Sequence, residues 1–290
     1  MRMRIRHSAI YGGLITSLVV SSIAMASPGD RTEPLPDALE GVGITEKLGA
    51  QIPLDLPFVT ADGRTVTLKE LRSNDRPTLL TLNYSDCPML CNLQLSGLVE
   101  AMKGLEWTAG QEYDVITVSL DPHESSERAR KTKERYLETY GRPAQEGWHF
   151  LVGEETHIRR LADSVGFGYR YLESEKEYAH AAVVIVLSPS GRVSRYLPGV
   201  TYSPQTLRLS MVEASEGKQV SGLDSFVLYC FKYDSTAGTY TPIVSNLMKV
   251  GGALTVIALG LFVGAGVVRR KIQHSGHEPE DGVQSDVAIV

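Results

Sequence analysis

Between residues 50 and 215 the apolar positions alternate between a period near two and one near 3.6, and each change marks a predicted element. Residues 52–59 and 65–68 read as strands flanking Ala61-Asp62-Gly63-Arg64, a hairpin turn with Gly to take up positive φ. The run Thr78-Leu79-Leu80-Thr81-Leu82-Asn83-Tyr84 reads as a strand buried on both faces. Residues 88–105 follow as a helix, with Leu90, Leu93, Leu98, Met102 and Leu105 roughly at helical spacing. Residues 115–119 form the next strand, closed by Asp121-Pro122-His123-Glu124. There Asp121 caps a helix, Pro122 takes its first position and Glu124 reaches back as a capping box. That helix runs to Tyr140 with a heavily charged side, read as solvated. Trp148-His149-Phe150-Leu151-Val152 is a short strand, residues 155–165 a helix stopped by Gly166, and residues 167–171 extended. Residues 181–187 and 192–197 pair across Ser188-Pro189-Ser190-Gly191, and a helix over 204–213 closes the set. Strands alternating with helices predict an α/β fold, a mixed sheet flanked by helices with an N-terminal hairpin; a thioredoxin-like architecture matches best.

Two long apolar stretches lie outside this pattern. Arg2, Arg4 and Arg6 precede an apolar run over residues 9–25, and Ala24-Met25-Ala26 offers a small-x-small cleavage site. This reads as a secretory signal peptide over residues 1–26, with an uncleaved signal anchor as the competing reading. Residues 250–268 contain no charged side chain and run straight into Arg269-Arg270-Lys271. A helix of that length, at about 1.5 Å per residue, spans roughly 28 Å, close to the hydrocarbon core of a bilayer. Its glycines suit a packed membrane helix, and the basic flank predicts a cytoplasmic C-terminus. The expected organisation is a signal peptide (1–26), a flexible leader (27–46), a globular domain (47–215), a juxtamembrane segment (216–246), a transmembrane helix (247–268) and a polar cytoplasmic tail (269–290). The domain is therefore expected at the inner membrane on its extracytoplasmic side.

Charge removes one class of partner. The 290 residues carry a formal net charge of −5 with no basic stripe, which argues against nucleic-acid binding. Three cysteines in an exported chain are too few for a disulfide framework.

Two of those cysteines carry the candidate chemistry. Cys87-Pro88-Met89-Leu90-Cys91 follows the buried strand directly. With Pro88 at the first helical position, Cys87 is expected at the N-cap, where the helix dipole favours a thiolate. Cys91, four residues on, shares its helical face at a Cβ separation of about 5–6 Å. That is slightly long for a disulfide, which wants about 3.5–4.5 Å, although fraying of the first turn closes the gap. The pair is placed to share a metal ion or to oxidise reversibly; two inert buried cysteines is the competing reading. Cys230, among aromatic residues about 20 positions before the apolar run, reads as a buried or idle thiol.

The strand followed by Cys-x-x-x-Cys, the stretch Val118-Ser119-Leu120-Asp121-Pro122, and a histidine ahead of a strand ending in Ser188-Pro189-Ser190-Gly191-Arg192 together resemble the Sco/SenC family. These are membrane-tethered, thioredoxin-fold copper proteins that help assemble the copper centre of cytochrome c oxidase. The resemblance spans roughly residues 52–213. It implies Cys87, Cys91 and His180 as metal ligands, copper as Cu(I) or Cu(II), and as partners a copper donor and the copper-site subunit of a respiratory oxidase. Ligand chemistry agrees: thiolates select Cu(I), an added imidazole also suits Cu(II), and structural zinc sites usually take four protein ligands. His123 reads as capping or solvated, His149 and His157 as structural or exposed, and His274 with His277 as a chance pair in the tail. This chain differs from the common family pattern in having Asn92 after the second cysteine, Ala179 and Ala181 around the histidine, and its anchor at the C-terminus.

Two functions remain open on these residues. One is copper binding and delivery, in which the protein is not an enzyme. The other is a thiol–disulfide oxidoreductase using Cys87 as the attacking and Cys91 as the resolving thiol. The histidine, and the Cys-x-x-x-Cys spacing in place of Cys-x-x-Cys, favour delivery. A peroxidase motif is not matched, because Leu80 and Tyr84 occupy positions where it needs Pro and Thr.

Overall fold

The computed structural model describes residues 39–73, 75–88, 90–215, 231–234 and 239–274. The expected signal peptide, most of the expected leader, Cys230 and residues 275–290 lie outside the described residues.

The chain opens with β1 (Gly43–Ile44), then the hairpin β2 (Pro57–Thr60) and β3 (Thr65–Thr67). Gly63 takes φ 79° in its turn, the left-handed conformation that favours glycine. Residues 52–56 are not a strand; there Gln51 only bridges Arg192. A one-turn helix, α1 (Leu68–Leu71), follows, its Thr67–Glu70 pair forming a capping box. Next come β4 (Thr78–Asn83), α2 (Leu90–Lys103), β5 (Asp114–Ser119), α3 (Ser126–Tyr140), β6 (Trp148–Val152) and α4 (Glu155–Ser164). β7 (Phe167–Leu172) and β8 (Glu177–His180) lead to β9 (Val183–Leu187), β10 (Val193–Pro198) and α5 (Pro204–Ala214). A second hairpin, β11 (Phe231–Asp234) and β12 (Thr239–Pro242), precedes a long helix, α6 (Val244–His274).

Seven strands form the main sheet in the order β10-β9-β4-β5-β6-β2-β3. β4, β5 and β6 are mutually parallel, while β9, β10, β2 and β3 join antiparallel. The β4-α2-β5 crossover with β9-β10-α5 is the thioredoxin-like core of this mixed α/β fold. All six residues of β4 are buried because the strand has neighbours on both edges and cover on both faces. Its side chains alternate accordingly: Leu79 packs with α2, α3 and α5 in one layer, whereas Leu80 and Leu82 pack with α4 in the other. The continuous apolar run is the signature of such a strand.

Two predicted helix starts move. α2 begins at Leu90, two residues beyond the expected position. α3 begins at Ser126, because Ser125 and not Asp121 caps it. Asp121 instead accepts the backbone N–H of His123 within the turn, 2.9 Å away. Glu124 makes no capping box; its carboxylate turns toward the end of β4.

β8 is an element the sequence did not announce. It pairs with β7, which also pairs with β1, in a separate three-stranded sheet. β11 and β12 dock on the domain, where the Tyr240 hydroxyl donates to Glu213 Oε2 at 2.6 Å. Beyond this hairpin, Val244–Ala265 of α6 is long and apolar enough, by length and composition, to cross a membrane, with mean hydropathy 1.9 and no residue buried.

Candidate metal centre

β4 ends at the upper edge of the sheet, and the chain turns there before entering α2. The backbone N–H of Cys87 donates to the Tyr84 carbonyl at 3.4 Å, closing a four-residue turn. Cys87 is the last residue of this turn, and Cys91 sits in the first turn of α2. The Cys87 sulfur accepts the backbone N–H of Cys91 at 3.3 Å. Although Cys87 lies outside the helix, it therefore still serves an amide that the helix leaves without an internal partner. Both residues are thiols.

The third group arrives from the last position of β8. The register Tyr169↔His180 places the imidazole over the Cys turn, with Nε2 3.1 Å from Cys91 Sγ. On the far side of the ring, Nδ1 lies 3.0 Å from the Ala181 carbonyl oxygen. A carbonyl only accepts, so Nδ1 carries a proton, and Nε2 is left facing the Cys91 sulfur. The Ala181 carbonyl thus supplies the orienting partner that the side chains of Ala179 and Ala181 cannot. Tyr84 meets the imidazole edge-on at 6.2 Å between centroids, and Phe167 lies 5.9 Å away on a tilted plane.

Sγ of Cys87, Sγ of Cys91 and a ring nitrogen of His180 all lie within 4.8 Å of one another, and all three residues are buried. Two sulfurs each about 2.3 Å from one ion sit roughly 4.0 Å apart at a trigonal angle, so the set is sized for one shared ion. Among the described residues no fourth His, Cys, Asp or Glu joins the group. A cavity of about 420 Å³, lined by Leu39, Val42, Tyr84, Leu90 and Tyr178, opens onto Cys87 and His180.

Cys91, four residues beyond Cys87 where a thiolate is expected, is not itself a ready thiolate. Its thiol is held well above the ordinary value of 9.0, first by its interaction with the Cys87 side chain and then by burial. The Tyr84 amide and the Asn83 side chain also bond to this sulfur and pull the other way, but they are outweighed. Its proton stays on the sulfur, which faces His180 Nε2. A soft cation bound here would displace that proton and leave a thiolate that already has donors around it.

The other histidines stay apart. His123 lies in the turn after β5, and His149 on β6 has a lowered pKa through burial. His157 on α4 packs edge-on against Phe58 at 6.5 Å. His274 ends α6, and His277 lies outside the described residues.

Sequence reasoning missed the supports of the Cys turn. The Glu124 carboxylate receives Ser85 N–H at 2.9 Å, Ser85 Oγ–H at 2.6 Å and Ser119 Oγ–H at 2.7 Å. Arg128 pairs with Asp86. Asn92 donates to the Cys87 carbonyl at 3.1 Å and accepts from Arg135 and the Tyr136 hydroxyl, each at 3.1 Å. The side of α3 read as solvated therefore grips the turn through Arg128, Thr132, Arg135 and Tyr136, residues near helical repeats of four. Their polar character and spacing were visible; their partners, more than 40 residues distant, were not.

A thioredoxin-like domain with two thiols and one imidazole gathered at the end of its central strand defines a class of soft-metal and redox proteins. Within that class, residues 46–213 match the family model described as SCO1/SenC. This is more than half of the 290 residues, and the chain belongs to the SCO1/SenC family. Among solved structures it is similar to a protein from Aquifex aeolicus VF5, with 26% identity over 58% of this chain and 94% of that one, at TM-score 0.51. It also matches Arabidopsis thaliana ScoI with copper bound (20% identity, 56% and 93% coverage, TM-score 0.44). Yeast Sco1 with copper bound is a further match (16% identity, 66% and 98% coverage, TM-score 0.42). No curated protein matches the chain.

Proposed function

We propose that this chain binds copper as its cargo at Cys87, Cys91 and His180 and delivers it to the copper-site subunit of a respiratory oxidase during cytochrome c oxidase assembly. The observation that carries this reading is the buried three-donor set, its ligand atoms mutually within 4.8 Å. Two soft sulfurs hold Cu(I), and the imidazole lone pair makes room for Cu(II). Three donors leave a coordination position through which a recipient's ligand enters before the donor's ligand leaves. The cavity beside Cys87 and His180 gives that ligand a way in. Zinc fits less well, because structural zinc sites take four protein ligands.

The functional unit is the domain over residues 47–215. A signal peptide at the N-terminus and the apolar helix before Arg269-Arg270-Lys271 support an inner-membrane protein. Its domain is extracytoplasmic and its C-terminus cytoplasmic. Anchoring in the recipient's membrane raises the effective concentration of the donor without a large interface.

Thiol–disulfide exchange is the second reading, and the nearness of the two sulfurs favours it. The raised pKa of Cys91 weighs against it at the resolving step, where Cys91 must react as a thiolate. The test uses the full chain, reduced, in detergent micelles. We expect one copper per chain retained through desalting, lost in Cys87→Ser and Cys91→Ser, and passed to the metal-free copper-site domain of an oxidase subunit. Copper lost on desalting, or retained without either cysteine, overturns the proposal.

A further inference from the structure

We propose that Glu124 is a positioning residue of this site: its carboxylate fixes the turn that sets the distance between Cys87 and Cys91. This inference rests on the reading of the two thiols as the working groups. Ser85 and Asp86 are the corner residues of the turn closed by the Cys87 N–H to Tyr84 carbonyl bond. A side chain outside the turn holds each corner. Ser85 gives both its N–H and its hydroxyl proton to Glu124, at 2.9 and 2.6 Å, and its Oγ accepts from Thr132 at 2.8 Å. Asp86 pairs with Arg128.

The same carboxylate reaches the neighbouring strand. Ser119, directly opposite Asn83 in the parallel register, donates its hydroxyl to Glu124 Oε2 at 2.7 Å. Three donors thus converge on one carboxylate, from the end of β5 and from the residue two before Cys87. Charge-assisted bonds of this kind are short and directional, and they fix a loop better than a neutral pair does. Asn92 and the Cys91 N–H hold Cys87 from the α2 side, at its carbonyl and its sulfur. Glu124 holds it from the β4 side, and without it the path from β4 to Cys87 would be free to shift relative to α2. Residues that orient metal ligands from outside the coordination sphere typically change affinity 10–100-fold when replaced.

Glu124→Gln keeps the shape but turns an amide N–H₂ toward donors. Ser85→Ala is the milder variant, removing one hydroxyl and leaving Glu124 charged. Two readouts on the full chain in detergent separate positioning from mere stability. In the first, Cu(I) affinity by chelator competition falls 10–100-fold in Glu124→Gln and less in Ser85→Ala.

The second readout needs no metal. The Cys87–Cys91 disulfide takes up two electrons and two protons to give two thiols, at equilibrium with a small-molecule dithiol/disulfide buffer. Released from its corner, Cys87 approaches Cys91 more readily, so the disulfide gains at least tenfold in its equilibrium constant, a potential about 30 mV more negative. Ser203→Ala, which removes the side-chain cap of α5 on Thr206 N–H and touches neither the turn nor α3, controls for general loss of stability. An unchanged potential in Glu124→Gln, or an equal shift in Ser203→Ala, overturns the proposal. If the wild-type chain takes no copper, the copper reading fails, and the potential alone still decides the role of Glu124.

Discussion

Replacing His180 with Ala separates the roles of the three donors, because the imidazole has both a packing and a coordinating function. The ring is 8% exposed and touches Tyr84 and Phe167, so truncation removes buried contacts as well as the hydrogen bond to Cys91. Large-to-small changes of this size cost about 2–5 kcal/mol. The low end, about 2 kcal/mol, applies here because the 420 Å³ cavity beside the ring lets water into the space left behind. For copper, loss of a ligand should exceed the 10–100-fold cost of losing an outer partner. Cu(II) affinity should therefore fall by at least about 100-fold, or roughly 2.7 kcal/mol. Cu(I), satisfied by two thiolates, should lose less than about tenfold. The diagnostic is this inequality between oxidation states, not the absolute loss. Competition against chromophoric chelators under reducing and oxidising conditions measures both affinities, and chemical denaturation of the metal-free protein measures the packing cost. A variant whose Cu(II) affinity stays within threefold of wild type, with an unaltered sulfur-to-copper charge-transfer band, would refute the three-donor site.

Alkaline pH should weaken the metal-free protein. The Cys91 thiol lies above its ordinary 9.0, and the Tyr178 hydroxyl is pushed by burial from 10.0 to about 12, so the folded state keeps protons that the unfolded chain has lost. Their contribution is complete below about pH 9 and falls as pH rises beyond it, by up to about 1.4 kcal/mol per pH unit for Cys91 and less for the more exposed Tyr178. Melting temperatures measured with reductant from pH 7 to 10.5 test this, and a flat profile contradicts it. Copper affinity should move the opposite way and strengthen with pH, because each thiol bound must release its proton. At the other end of β4, Asp114 is fully buried, accepting Ser73 N–H at 3.1 Å and pairing with Arg76 at 2.8 Å. Asp114→Ala should cost about 3 kcal/mol, the low end for a broken buried pair because Arg76 remains a quarter exposed. A shift in the urea midpoint reads this loss, with copper stoichiometry unchanged.

The strands of the main sheet were legible because burial on both faces leaves a continuous apolar run, as in β4 and β9, which no amphipathic helix imitates. The Cys pair was legible because both residues lie within five positions. His180 was legible only through family resemblance, since 89 residues separate it from Cys91 and a lone histidine carries no signal of what it will face. β8 escaped notice because Glu177-Tyr178-Ala179-His180 is short and has no apolar face; its register comes from pairing with β7. The expected helix start failed for a related reason. Proline at a first helical position is a local preference, whereas here Ser85 and Asp86 are bonded to Glu124 and Arg128, and the helix begins only at Leu90. The helix dipole bore on Cys87 alone and gave no reading of Cys91, whose thiol is held up by the Cys87 side chain and by burial.

The two halves of the site are therefore held by different parts of the molecule. The sulfurs belong to the turn and first helical turn beyond β4, a fully buried interior strand of the main sheet, with α3 bracing them from outside. The imidazole belongs to β8, whose ladder is made with β7 alone and includes no strand of the main sheet. Moving His180 away from Cys91 requires giving up part of that short ladder and the Tyr178 N–H to Tyr84 hydroxyl bond at 3.4 Å. It does not require breaking any bond of the seven-stranded sheet. Moving either sulfur, by contrast, disturbs α2 or the Glu124 cluster. If the domain hands over copper by ligand exchange as proposed, this division predicts the order: the imidazole would be the ligand that yields at lowest cost, and the two cysteines the last to let go.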